Sequence, residues 1–384
     1  MDLALIALSA RPLATSAARA GLSTLALDLR ETMVLPAGGK CPQSHAQLPA
    51  LARTAPGEAP GFDGAALPAA LASHVPAGIP FIPGDGLDVM PEILAQIAAR
   101  NPVLGNTPTT VRVLKDPLAL EALCGHLRIP FPTISLTAPN AETFTGAAVL
   151  EKRIGSSGGS DVRRRAAGDL SATAPGHYLQ KEVVGQTFSL LLLANGQACI
   201  TLGISRHFSA GTESAATPFR QDGRIGPVAL PEALHAPITT AAQNIALACG
   251  LVGLVSVRII ISTEGWFVLG VTPHPDASVD LFDTDPLPPL LALHLAACGG
   301  RMPSGLPAPV QVRAIASLHA GQNLTMPALT SPVTVLDAPP PGTAMQAGDL
   351  VATVHVNATS TMQAEVTLMA AVMPLAEQLR KAGL

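Results

Sequence analysis

Residues 150–165, LEKRIGSSGGSDVRRR, hold the densest set of groups in this chain that could do chemistry. Lys152 stands between Leu150 and Ile154 of a short strand pattern, followed by a turn of Gly155, Ser156, Ser157, Gly158, Gly159 and Ser160. Such a turn has little side-chain bulk, so its backbone N–H groups can approach an anion closely. Glycine also admits the positive φ that an anion-binding nest uses. Lys152 before the turn and Arg163, Arg164 and Arg165 after it add positive charge, which makes the stretch a candidate phosphate cradle. An exposed hairpin turn with a solvated basic face is the other reading of the same residues.

A loop of this kind must be held by strands. The apolar pattern predicts them at 148–153 and 161–165, with further strands at 177–184, 187–194, 197–205, 255–261 and 266–271. Asn195 and Gly196 form the strongest hairpin signal in the chain, and a helix is expected over 237–249. Upstream, strand 3–9, helix 14–20 closed by Gly21, and strand 25–29 make a β-α-β opening of the doubly wound kind. Its first turn, SARPL, is not GxGxxG, so it carries no dinucleotide fingerprint. Residues 36–80 are rich in Pro, Gly and Ala and lead into IPFIPGDGLD, a strand and turn. A helix over 91–100 and a short strand over 102–106 come next. Helix 109–127 is interrupted at Asp116 and Pro117, with Lys115 beside the break. Helix 289–297 precedes a β-rich tail with strands at 310–318, 333–336 and 350–356 and a closing helix at 364–381.

The 384 residues suffice for two or three domains. At 48% hydrophobic, 13% charged and a mean hydropathy of +0.38, the composition invites a membrane reading. Gly, Pro, Ser and Thr break every apolar run short of the roughly 20 residues that a span needs, which predicts a soluble, alanine-rich protein. The segment MDLALIALSARP lacks a basic leader region, so a buried first strand and a cytoplasmic location are expected. Cys41, Cys124, Cys199, Cys249 and Cys298 are odd in number and lack CxxC spacing, as buried thiols would. A net charge of −4 and 3% aromatics speak against nucleic acid as a partner.

Several stretches, taken together and in order, resemble the ATP-grasp superfamily. They are ALSARPLATSAARAGLSTLALD, LGNTPTTVRVLKDP, EKRIGSSGGSDVRR, HYLQKEVVGQTFSLLLLANG, LGISRHF, PFRQDGRIGP, GLVGLVSVRIII, VLGVTPHPDASVDLFD and LDAPPPGTAMQAGDLVATVHV. The nearest look is to the ATP-grasp proteins encoded with one-carbon cofactor genes in methylotrophic bacteria, relatives of tyramine–glutamate ligase. The resemblance implies an α/β fold with a Rossmann-like domain over 1–105 and a small lid unit over 106–185. A large unit over 186–302 and a C-terminal β module with a closing helix over 303–384 complete it.

The resemblance also implies roles. Lys115 and Lys152 would reach the α/β-phosphates of ATP, and Gly155–Ser160 would close on the outer phosphates. Gln180, Lys181, Glu182 and Val183 would form the adenine hinge, and Thr187 would stand where an acid often holds the ribose. Arg206 and Arg220 would face the transferred phosphate or an acyl-phosphate. The family's magnesium acids and asparagine fall on Arg258, Gly270 and Thr272. A guanidinium, a hydrogen and a hydroxyl there make Mg²⁺ doubtful while leaving ATP as a ligand. His274, Asp276, Asp280, Asp283 and Asp285 could rebuild a metal site from shifted positions. The same aspartates suit capping of the following turn and helix.

Two functions follow from that resemblance. One is a degenerate ATP-grasp protein acting as a binding or partner subunit in tetrahydromethanopterin or methylofuran biosynthesis. It would pair with an intact ATP-grasp paralogue or another protein of that biosynthesis, as an oligomer. The other is an active ATP-dependent carboxylate–amine ligase with an unconventional metal site, taking a small-molecule amine and acid. Ser9 and Ser205 lack the GxSxG context of a nucleophile, and the remaining histidines lack HExxH spacing.

Overall fold

The computed structural model describes residues 2–30, 43–51, 61–137, 144, 147–156, 158–166, 169, 171–209, 218–220 and 222–383. Ser157 and Cys41 lie outside these residues. The chain opens with β1 (Leu3–Ile6), α1 (Arg11–Arg19), β2 (Thr24–Asp28), β3 (Gln43–Gln47), α2 (Leu67–His74), β4 (Phe81–Pro83) and α3 (Pro91–Ala98). The four strands pair in parallel in the order β3-β2-β1-β4. β1 is buried along its whole length, which explains its uninterrupted apolar run. β3 and α2 fall in the Pro/Gly/Ala-rich stretch where the sequence pattern predicts only a strand and turn. The short strand expected at 102–106 reduces to one bridge, Phe81 to Val103.

Next come α4 (Pro108–Lys115) and α5 (Pro117–His126), separated where expected. Asp116 makes the break by capping α5, its Oδ1 accepting from the N–H groups of Leu118 (2.9 Å) and Ala119 (3.3 Å). Lys115 is thereby fixed as the last residue of its helix. β5 (Ile134–Ser135), β6 (Val149–Arg153), β7 (Val162–Arg164) and β8 (His177–Lys181) form an antiparallel sheet ordered β5-β8-β6-β7.

The larger sheet takes β9 (Gly185–Asn195), β10 (Cys199–Phe208), β11 (Gly223–Gly226), β12 (Val252–Ser262) and β13 (Gly265–Thr272), with α6 (Glu232–Ala248) between β11 and β12. The chain continues through α7 (Ser278–Phe282), α8 (Leu290–Cys298), β14 (Val312–His319), β15 (Leu324–Thr325), β16 (Thr334–Leu336), β17 (Ala344–Met345), β18 (Leu350–Ala358) and α9 (Thr361–Ala382). The order of the larger sheet is β13-β12-β9-β10-β11-β14-β18-β16. The late strands thus continue this sheet through β11, a four-residue strand that alternation does not reveal.

The leucine run of β9 is buried on both faces of the sheet. Leu190 and Leu192 pack with Ile238, Ala242 and Ile245 of α6, while Leu191 and Leu193 pack with Leu290 and Leu291 of α8. α9 lays Leu368, Val372 and Leu375 against β14 and β18. Asn106 ties the first sheet's end to the large one, its amide donating to the carbonyls of Val252 (3.1 Å) and Pro273 (2.8 Å). His294 is a satisfied core histidine, accepting from Leu254 N–H at 2.9 Å and facing the Leu104 carbonyl at 3.0 Å. No helix among the described residues is long and apolar enough to cross a membrane.

Candidate functional site

Two clefts meet at Arg258 of β12 and Thr272 of β13. The smaller has a volume of about 390 Å³ and lies between the β5–β8 sheet and the large sheet. Lys115, Lys152, Gly155, Ser156, Gly158, Gly159, Gln180, Lys181, Glu182, Val183 and Thr187 all line it, with Arg258, Gly270 and Thr272. The larger, of about 930 Å³, takes Ser160 and Arg220 instead. Gly158, Arg153, Arg258 and Thr272 belong to both walls. Arg206 lines neither cleft; its guanidinium pairs with Glu365 of α9 and lies over the Phe208 ring.

β6 carries Lys152 into the small cleft, where it pairs across the sheet with Tyr178. Its ammonium donates to the Gln180 side-chain oxygen, and the other end of that amide, Nε2, is buried without a hydrogen-bond partner. Burial, with Arg258 adding repulsion, pushes the lysine down to about 8. A desolvated cation beside an unused donor is the chemistry of an anion or polar-ligand site. The glycine turn beyond β6 holds Gly155, Gly158 and Gly159 at φ near +80°, in the left-handed region that favours glycine. At Gly159 a Cβ would fall 2.3 Å from the Phe219 carbonyl oxygen, whereas at Gly155 it would meet open space. Gly159→Ala is therefore expected to destabilise the protein by about 1–3 kcal/mol, and Gly155→Ala by less, in thermal unfolding.

The charged hinge side chains, Lys181 and Glu182, are occupied. Lys181 pairs with Glu264 at 2.7 Å, and Arg164 reaches Glu182, its Nε donating to Oε2 at 2.7 Å. The Glu182 N–H already donates to the Ala148 carbonyl, so the edge open to a ligand begins at Val183 and the 79% exposed Val184.

Cross-strand register gathers the three expected metal positions. Arg258 stands opposite Gly270, and Ser256 opposite Thr272. Among the described residues Arg258 makes no side-chain hydrogen bond; Asp276 and Asp85 act on it through space. Burial and the neighbouring Arg224 push it down to about 10. This donor set does not fit magnesium, because a guanidinium offers no lone pair, glycine no side chain, and threonine one hydroxyl. The carboxylates of Asp276, Asp280 and Asp283 are committed elsewhere. Asp276 accepts from Ser278 N–H at 2.9 Å and faces Arg224 at 3.4 Å, so it both caps and pairs. Asp280 pairs with Arg11, and Asp283 with Arg19 at 3.0 Å. No group of three or more His, Cys, Asp or Glu suited to a metal ion occurs among the described residues.

One cluster was not foreseen from the sequence. Asp88, in the turn after β4, pairs with Lys115 and stands 3.3 Å from His274 Nε2. Burial opposes charge on that imidazole, yet Asp88 and Asp85 raise it to about 9. The available signal was an acid just beyond the carboxyl end of a parallel strand, where open α/β sheets place ligands.

This geometry is that of an α/β ATP-grasp fold. Residues 118–278 match the family model described as ATP-grasp domain. No curated protein matches the chain in sequence. Among solved structures, it is similar to biotin carboxylase of Campylobacter jejuni in a β,γ-ATP complex. That match has 13% identity, a TM-score of 0.69, and covers 99% of this chain and 94% of the other. N5-carboxyaminoimidazole ribonucleotide synthetase of Thermotoga maritima aligns at 14% identity and a TM-score of 0.66, over 97% and 98% of the chains. L-amino acid ligase of Bacillus licheniformis aligns at 12% and 0.66, over 99% and 97%. At these identities the likeness is one of fold.

Proposed function

We propose that the protein binds an adenine nucleotide in the small cleft without a magnesium site of the usual kind. Arg258 supplies the positive charge there, and the chain serves as a binding or partner subunit. The observation that carries this reading is Arg258 itself, a guanidinium where the clefts meet, opposite Gly270, with its hydrogen-bonding capacity unspent among the described residues. A phosphate takes a planar fork of donors well. Lys115, Lys152 and the glycine turn line the same cleft and would hold the remaining phosphate oxygens. The test is the triple substitution Arg258→Asp, Gly270→Glu and Thr272→Asn, which puts oxygen ligands at the three positions. Nucleotide binding should become Mg²⁺-dependent; binding that stays indifferent to Mg²⁺ would contradict the assignment.

The metabolic setting, one-carbon cofactor biosynthesis beside an intact ATP-grasp paralogue, rests on the sequence resemblance. Affinity purification from the native host should recover that paralogue, and its absence would count against the setting.

A second reading, an ATP-dependent carboxylate–amine ligase, is favoured by the large cleft, where Arg220 and Arg224 stand in the same wall as Arg258. It requires ADP release when ATP meets an acid and an amine. No release across a broad panel of acids and amines would exclude it.

A further inference from the structure

Asp88 joins three parts of the fold through one carboxylate. It belongs to the turn after β4, where its Oδ1 accepts from Gly86 N–H at 3.1 Å, and its side chain is 2% exposed. Its Oδ2 meets Lys115, at the end of α4, and stands 3.3 Å from His274, just beyond β13. Lys115 lines the small cleft, whereas Asp88 lines the large one only. The lysine expected at the phosphates thus has its charge drawn toward the other cleft.

We propose that Asp88 is an autoinhibitory counter-ion for Lys115. It holds the ammonium at the edge of the small cleft, and an incoming nucleotide must displace it. This inference rests on the reading that the small cleft takes a nucleotide. A buried carboxylate stripped of its partner is costly. Here His274 remains beside Asp88 when the lysine leaves, so the exchange trades one ion pair for another. His274 Nδ1 is anchored at 2.9 Å to the Pro275 carbonyl, which keeps Nε2 directed at Asp88. Phosphates carry more charge than a single carboxylate and outcompete it, at the cost of affinity. Occupancy of the small cleft is coupled in this way to the turn that forms part of the large cleft's wall.

The test is a cycle of ADP titrations by calorimetry on the full chain: wild type, Asp88→Asn, Lys115→Met and the double variant. Asp88→Asn should bind ADP roughly tenfold tighter or more, and the gain should vanish in the Lys115→Met background. An equal gain without Lys115 would mean that Asp88 acts only through its field, and would overturn the proposal. Weaker or unchanged binding by folded Asp88→Asn would do the same. If that variant does not fold, amide exchange of wild-type residues 84–88 gives the answer. Saturating ADP should speed exchange there as the lysine tie is lost, and slower exchange would contradict the proposal. Binding of ADP without the Asp88 effect sinks the latch alone; no binding by any variant sinks the nucleotide reading with it.

Discussion

Arg11→Leu is expected to cost about 3–5 kcal/mol of folding stability, the scale for breaking a buried ion pair from one side. Arg11 is 2% exposed, and its guanidinium donates through Nη1 to Asp280 at 2.9 Å and through Nε to Asp337 at 2.8 Å. These contacts tie α1 to α7 and to the turn after β16. Leucine removes the charge and leaves both carboxylates buried, with Asp280 facing His355 at 3.4 Å and Asp337 kept by Arg30 at 2.8 Å and Thr353 at 2.6 Å. Despite burial, Arg11 holds both acids below the usual carboxylate range. Groups depressed in this way contribute stability above the unfolded value near ~4 and lose it as pH falls toward their folded values. Urea unfolding should therefore show wild-type stability dropping in acid below about pH 4, with a shallower drop in Arg11→Leu. Equal stability of the two proteins at pH 7 would contradict this account.

Arg258→Leu is the second large effect, expected on binding. Loss of one charge-assisted contact to a buried phosphate is worth about 2–3 kcal/mol, roughly 30- to 150-fold in ATP affinity. The pH profile distinguishes this from a packing defect. With Lys152 pushed down to about 8 by burial and by Arg258, the lysine is charged below that pH and neutral above it. Wild-type affinity for an anion should fall as pH rises through about 8. Without Arg258 the repulsion is relieved, and the fall should move to higher pH. An unmoved profile would assign the loss to packing.

The elements most legible in the sequence were those whose signal is local. The break at Asp116 and Pro117, the Asn195–Gly196 hairpin and the apolar strands expected at 3–9 and 187–194, found at Leu3–Ile6 and Gly185–Asn195, each specify themselves within a few residues. Gly155, Gly158 and Gly159, with Lys115, Lys152, Gln180–Val183 and Thr187, converge on one cleft between the β5–β8 sheet and the large sheet. Less visible was structure defined by partners remote in sequence. β11, with glycine at both ends and four residues long, is a strand only because β10 and β14 pair with it. Asp88 reaches Lys115 and His274 across three units of the fold, and nothing at position 88 announces the lysine. Arg206 points to the opposite lesson: its position along β10 was apparent, but the face it occupies, against Glu365 of α9, depends on a helix near the C-terminus.

The most direct test of the central claim is calorimetric titration of the wild-type protein with ATP, once in excess EDTA and once in millimolar Mg²⁺. With a guanidinium at Arg258 and no side chain opposite it at Gly270, ATP should bind in EDTA, and Mg²⁺ should leave the affinity unchanged or lower it. Binding that appears only with Mg²⁺, or tightens strongly on adding it, would contradict the account.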